Sequence, residues 1–209
     1  MRTPVIDRLF EIAFDQAGAF TTGQALVSGL SAVDLARAYD RGDITRFARG
    51  VYIITRFPIS RDQELWAAVL FPTVRRDMAA VGVLSHETAI AFHAPECDIA
   101  PSKIDVSAEF LRGKKGDTPR VLRLHDVHVS HKERTTNDAG VPVTTLKRTV
   151  DDCLRDGTGF RYLPEMLEHA LLNTCEINQH EFDTYREQMT SPRIADKRLN
   201  KNKKVRRPK

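Results

Sequence analysis

Apolar residues return at helical spacing from the start of the chain: Ile6, Leu9, Phe10, Ala13, Phe14 and Ala17, ending at Gly18. Thr3-Pro4 precedes them, with Thr as the cap and Pro in the first helical position. This predicts a first helix that buries its stripe against Leu26, Leu30 and Leu35. Two shorter helices follow. Thr21-Thr22-Gly23-Gln24 has the Thr-x-x-Gln spacing of a capping box. Gly29-Leu30-Ser31 then breaks the chain, and Ser31 is placed to accept from an orphan N–H of a helix over 32–41. Gly42 lies just past that helix, where a left-handed C-cap is easiest. Ala25 and Leu26 are the expected core positions of the second helix. In the third, Ala32, Leu35, Ala36 and Tyr39 are expected to share the buried face, leaving Val33, Asp34, Arg37, Asp40 and Arg41 outward. Strand-like runs at 44–47 and 51–54 are joined by Ala48-Arg49-Gly50. Helix, tight turn, helix, hairpin is the layout of a winged helix-turn-helix, which lays its second helix in the DNA major groove.

Beyond Phe57-Pro58 the pattern changes. Ser60-x-x-Gln63 caps a helix running to Pro72, with Leu65, Trp66, Val69 and Leu70 inward. A strand is predicted at 81–84, then a helix capped by Ser85 and ending near His93. Further strands are predicted at 103–108, 120–124, 127–131 and 141–144, with a turn or loop over 112–117. Leu146, Thr149, Val150, Cys153 and Leu154 mark a helix. Two more follow near 162–173 and 179–189, the last capped by Asn178-x-x-Glu181. The expected fold class is α+β: a winged helix-turn-helix over 1–58, a mixed α/β domain over 59–192 and a basic, disordered tail over 193–209.

Charge sharpens that division. The net charge is +4, yet residues 193–209 alone hold nine Lys/Arg and one acid, whereas 61–192 hold 16 bases and 21 acids. The basic balance therefore belongs to the tail, and such a tail suits a nucleic-acid-binding arm. Hydrophobic content of 41% and charged content of 29% are ordinary for a soluble globular chain. No apolar run approaches the roughly 18 residues that span a bilayer. Asp7, Arg8, Glu11 and Asp15 interrupt any signal-peptide core. Cys97, Cys153 and Cys175 form no CxxC pair, which suits a reducing cytoplasm.

Three blocks in order, GAFTTGQALVSGLS…RGDITRFARGVYII, LSHETAIAFHAP and VLRLHDVHVS…GVPVTTLKRTVDDCL, resemble the AbiEi family of type IV toxin–antitoxin systems over residues 4–156. The resemblance implies an N-terminal winged helix followed by an α/β antitoxin domain. It also implies a DNA-binding autorepressor and antitoxin, with a nucleotidyltransferase-like toxin encoded beside it. The chain departs from the family in its third helix, where Ala32 and Ala36 stand at positions often basic and Asp34 and Asp40 add repulsion towards phosphate. DNA contact is then expected from Thr22, Gln24, Ser31, Val33, Arg37, Arg41, Arg46 and Arg49. In the tail it is expected from Lys201, Lys203, Lys204, Arg206 and Arg207. Longer relatives carry an endonuclease-like extension that this chain does not reach, so the resemblance implies no nuclease.

Arg46 and Arg49 bracket the hairpin turn, where guanidiniums can clamp phosphates or probe the minor groove. Arg37 can reach a guanine edge, against the plainer reading of a pair with Asp34 or Asp40. His125, His128 and His131 invite a zinc reading, but i,i+3 spacing on a strand sends neighbours to opposite faces. Ser85-His86-Glu87 contains triad-type residues, yet Ser85 as a helix cap explains the pattern. Lys103, Asp105 and Glu109 lack the compact spacing of a metal-dependent nuclease. Asp151-Asp152 reads as a helix surface, and Arg148-Thr149 as a structural helix start. No GxGxxG, P-loop or HExxH occurs, so no cofactor, metal or catalytic residue is assigned.

The expected activity is therefore that of a cytoplasmic, non-enzymatic repressor and antitoxin. It is expected to bind an operator in duplex DNA, an inverted repeat, as a homodimer. The alternatives are a small nuclease or nucleotide-processing enzyme targeted by a winged helix, and a winged-helix protein-binding module.

Overall fold

A computed structural model of the protein describes residues 4–73, 81–97, 99–109, 118–174 and 176–191. The chain opens with α1 (Val5–Ala13) and a short 3-10 turn. Strand β1 (Ala19–Thr21), helices α2 (Thr22–Val27) and α3 (Ala32–Asp40), and the hairpin β2 (Ile44–Ala48) and β3 (Val51–Ile54) follow. The three strands form an antiparallel sheet in the order β1-β3-β2, with Ala19 opposite Ile53 and Ile44 opposite Ile54. Leu9, Ala13, Phe20, Ala25, Leu30, Leu35, Ala38, Ile44 and Ile54 close one core between sheet and helices. At Gly18, φ is +86° and a Cβ would stand 2.6 Å from Phe57 Cγ, so only glycine lets the Phe57 ring, stacked on Phe10, seal the base of this unit.

The remainder is a five-stranded mixed sheet with helices. Its strands are β4 (Val83–Leu84), β5 (Ile104–Ala108), β6 (Leu122–Asp126), β7 (Arg134–Thr136) and β8 (Pro142–Thr144), ordered β6-β5-β4-β8-β7. Pairs β5–β6 and β4–β8 are parallel, and the other two are antiparallel. Helix α4 (Arg61–Leu70) shares a core with Leu84, Val106, Leu122 and Val143, and with Ala19, Ala48 and Val51 of the first sheet. Buried apolar surface thus runs without interruption across residue 58. Helices α5 (His86–His93), α6 (Leu146–Asp156), α7 (Leu163–His169) and α8 (Gln179–Thr190) form a second cluster. Strand alternation turns Asp105, Ser107, Arg123 and His125 away from the α4 side, towards α5 and α6. The architecture is mixed α and β, and no described helix is long and apolar enough to cross a membrane.

Several expected contacts are corrected. Helix α1 ends at Ala13, and Ala17 takes a left-handed φ of 49°, so Phe14 lies in the 3-10 turn and is 70% exposed. Pro4 is the N-cap of α1 rather than its first residue, and Thr3 lies outside the described residues. Leu26 is 48% exposed, leaving Ala25 as the buried residue of α2. On α3 the buried pair is Leu35 and Ala38, three apart, while Ala32, Ala36 and Tyr39 face solvent. Residues 127–131 form no strand, because side chains take the backbone acceptors: Arg148 donates to the His128 carbonyl at 2.9 Å and Arg134 to that of Val129 at 2.9 Å. Strand β1 was not expected; at three residues it is too short to show a period. The loop at 112–117 and the tail at 193–209 lie outside the described residues.

Candidate nucleic-acid interface

Local chemistry sets the two N-terminal helices. Thr21 Oγ1 accepts from Gln24 N at 3.1 Å, and Gln24 Oε1 accepts from Thr21 N at 2.8 Å, which closes a reciprocal capping box on α2. Ser31 and Asp34 do the same for α3, at 3.2 and 2.9 Å. Asp34, expected to repel phosphate, thus has its carboxylate tied back to the helix start. Gly42, with φ +74°, reverses the chain into β2.

The expected contact residues separate by geometry. Gln24 is engaged at both ends of its amide, since its nitrogen donates to Gln16 Oε1 at 2.8 Å. Thr22 is half-buried, and its hydroxyl donates to the Gly50 carbonyl at 3.5 Å. Ser31 is exposed but held in its capping box. Val33 and Arg37 stand exposed on the outer side of α3. Arg41 caps α3 and pairs with Asp43 at 2.9 Å. Arg46 is exposed on β2 opposite Tyr52, and Arg49 is exposed at the hairpin turn. That turn lies against the start of α2, where Thr22 N donates to Gly50 O at 2.9 Å. Arg37 and Arg46 make no ion pair among the described residues, so the alternative pairing of Arg37 with Asp34 or Asp40 does not form. Arg56, which the sequence pattern did not single out, reaches Asp43 from the end of β3 at 3.6 Å. Lys201, Lys203, Lys204, Arg206 and Arg207 lie outside the described residues. Val27 on α2 and Val33 and Tyr39 on α3 are also exposed, at 72%, 56% and 50%.

A second polar assembly lies inside the central sheet. Ser107 Oγ donates to Ser85 Oγ at 2.8 Å, and Ser85 Oγ meets His86 Nδ1 at 2.9 Å. His86 Nε2 lies 3.0 Å from Asp156 Oδ2, and His125 Nδ1 lies 3.6 Å from the same oxygen. His125 Nε2 is 2.9 Å from Asp105 Oδ1, which also accepts from Arg123 at 3.2 Å. Ser85, His86 and Asp105 are fully buried. The hydrogen bond from His86 holds the Asp156 carboxyl well below its ordinary range. Ser85 stands at the N-cap of α5 but makes no capping hydrogen bond; its hydroxyl serves His86 instead, which corrects the capping reading. Of the three histidines in HxxHxxH, only His125 enters this assembly; His128 is exposed and pairs with Glu109 at 2.7 Å, and His131 is exposed in a 3-10 turn. The sequence singled out Ser85, His86, Asp105 and His125 separately, but gave Asp156 no role and no signal of their convergence.

Arg148 has a clear structural part. It bridges Glu133 Oε1 and the fully buried Asp152 Oδ1, both at 2.8 Å. Hydrogen bonds from Ser130, and then from Arg148, push the Glu133 carboxyl down to about 2. Asp152 is therefore a buried partner and not a helix surface.

Residues 7–55 match the family model described as "Transcriptional regulator, AbiEi antitoxin". No curated protein sequence matches the chain. Among solved structures, the chain is similar in fold to the RV2827C protein from Mycobacterium tuberculosis, with a TM-score of 0.51 and 12% identity over 93% of this chain and 74% of the other.

Proposed function

We propose that the protein is a DNA-binding transcriptional autorepressor and the antitoxin of a type IV toxin–antitoxin system. Residues 7–55 carry the pattern of the AbiEi antitoxin regulators, and that segment holds two capped helices and the hairpin. In this reading α2, α3 and the hairpin act as a winged helix-turn-helix. Helix α3 enters the major groove with Arg37 and Val33 towards base edges, and Arg46 and Arg49 bind the backbone from the hairpin. The observation that carries the reading is the group of exposed guanidiniums on α3 and the hairpin, within the matched segment. Two copies on an inverted repeat fit such a unit, and the partner is a nucleotidyltransferase-like toxin.

A mobility-shift titration with DNA from upstream of its own gene and excess unrelated competitor tests this. The upstream duplex is expected to win by at least about 10³-fold. Equal affinity for both DNAs sinks specific repression. One second reading has an observation in its favour: exposed Val27, Val33 and Tyr39 also suit a protein-docking face. It is distinguished by Val27→Ser with Tyr39→Ser, which would then abolish neutralisation of the co-expressed toxin while leaving DNA affinity intact.

A further inference from the structure

Two imidazoles and a carboxylate converge at one point of the central domain, each from a different element. His86 comes from the β4–α5 junction, His125 from β6 and Asp156 from the end of α6. Their donor atoms all lie within 4.8 Å of one another. Donors around a zinc-type ion, at about 2.0–2.2 Å from the metal, stand roughly 3–4 Å apart. The observed separations of 3.0 and 3.6 Å to Asp156 Oδ2 fall in that range. The rings stack with centroids 3.6 Å apart, which holds the two imidazoles side by side at this point.

The far side of each ring is what separates this group from an ordinary buried hydrogen-bond network. A metal-bound imidazole hands its other N–H to a fixed acceptor. Here His125 Nε2 has Asp105 Oδ1 at 2.9 Å, and His86 Nδ1 has Ser85 Oγ at 2.9 Å. A hydroxyl accepts as readily as it donates, so Ser85 supports the tautomer that leaves Nε2 of His86 free. Asp105 is fully buried, and its Oδ2 has no hydrogen-bond partner among the described residues. A cation close by lowers the cost of that unpartnered oxygen. His86 also adopts φ +50°, an uncommon conformation for a non-glycine residue. Access is from the Asp156 side, whose side chain is 35% exposed.

We propose that His86 Nε2, His125 Nδ1 and Asp156 Oδ2 bind a divalent transition-metal ion of the zinc class, with Asp105 and Ser85 orienting the two imidazoles. Two nitrogens and one carboxylate oxygen suit zinc or cobalt rather than magnesium or calcium. The ion takes the place of the proton between His86 and Asp156, and that proton leaves to solvent. Bound there, it ties β6 and the end of α6 to the β4–α5 junction. This site is independent of the DNA-binding reading.

The test uses the untagged full chain, freed of metal by chelator and dialysed. Zinc chloride is titrated calorimetrically, and cobalt(II) binding is followed by visible absorption. One ion per chain is expected, with a tetrahedral cobalt spectrum and a higher thermal midpoint in zinc. Asp156→Asn and His125→Gln are each expected to weaken zinc by at least about 10–100-fold, the range that loss of an orienting partner alone produces. Metal-free circular dichroism of each variant separates lost binding from lost fold. His128→Ala with His131→Ala, on the surface, is expected to bind zinc as the wild type does. Wild-type zinc affinity no higher than that of folded Asp156→Asn overturns the proposal. So does binding that is lost in the His128/His131 variant and kept in Asp156→Asn.

Discussion

The N-terminal unit and the central domain satisfy their polar groups in opposite ways. In the first, the decisive hydrogen bonds are local: Thr21 with Gln24 and Ser31 with Asp34, each three residues apart. Arg37, Arg41, Arg46 and Arg49 stand exposed on its surface. In the second, the decisive bonds join distant segments: His86 to Asp156 across 70 residues, Ser107 to Ser85 across 22, Arg148 to Glu133 across 15. The first unit builds a presenting surface. The second builds buried polar junctions that hold its layers in register. Substitutions of exposed side chains in the first should therefore act on binding, and those of junction side chains in the second on stability.

The largest expected effect is in the central domain. Arg148→Ala leaves the buried Asp152 with only the half-exposed Arg155, and should cost about 3 kcal/mol, the low end for breaking a buried pair. A urea denaturation series measures it, and a loss below about 1 kcal/mol would make this junction no more important than a surface pair.

Next comes the tail. Removing residues 193–209 deletes nine basic residues and one acid. Upstream and random DNA should both weaken by similar factors, about tenfold or more, because backbone attraction is blind to sequence. Matched titrations at one salt concentration check this. Selective loss of the upstream preference would assign base reading to the tail.

Thr21→Ala opens the capping box of α2 and should lower stability by about 1 kcal/mol, seen as a lower thermal midpoint. Glu133 supplies a smaller, pH-dependent effect. Its folded value, about 2, lies below the ordinary 4.5, so its contribution is present above about pH 4.5 and is lost as the pH falls towards 2. Urea midpoints measured from pH 5 down to 3 should fall less steeply for Ser130→Ala, because the Ser130 hydroxyl is the chief cause of the shift. An unchanged slope would contradict that cause.

The same contrast explains what could be read from the sequence. The capping boxes at Thr21 and Ser31, the turn glycines and the hairpin were legible because each is written in a few adjacent residues, whereas the cap readings at Thr3 and Ser85 were not borne out. Helices α4 and α6 were legible from apolar spacing, and the starts of α4 and α8 from the caps Ser60 and Asn178 with their partners three residues on. Faces were less legible: α3 buries Leu35 and Ala38, a choice made by the sheet beneath it and not by its own composition. The histidine–aspartate assembly was illegible, because Asp105, His125 and Asp156 meet only once β5, β6 and α6 are in place.

The central claim is that α3 and the hairpin present the DNA-reading surface without carrying the fold. Fluorescence anisotropy tests it most directly, with the full chain on a labelled duplex from upstream of its own gene at one fixed salt concentration. Wild type is set beside Arg37→Ala/Arg46→Ala/Arg49→Ala. The triple variant is expected to bind at least about 100-fold more weakly, from one lost base contact and two lost phosphate contacts, with its thermal midpoint unchanged. Equal affinity for the duplex in the folded triple variant would contradict the account.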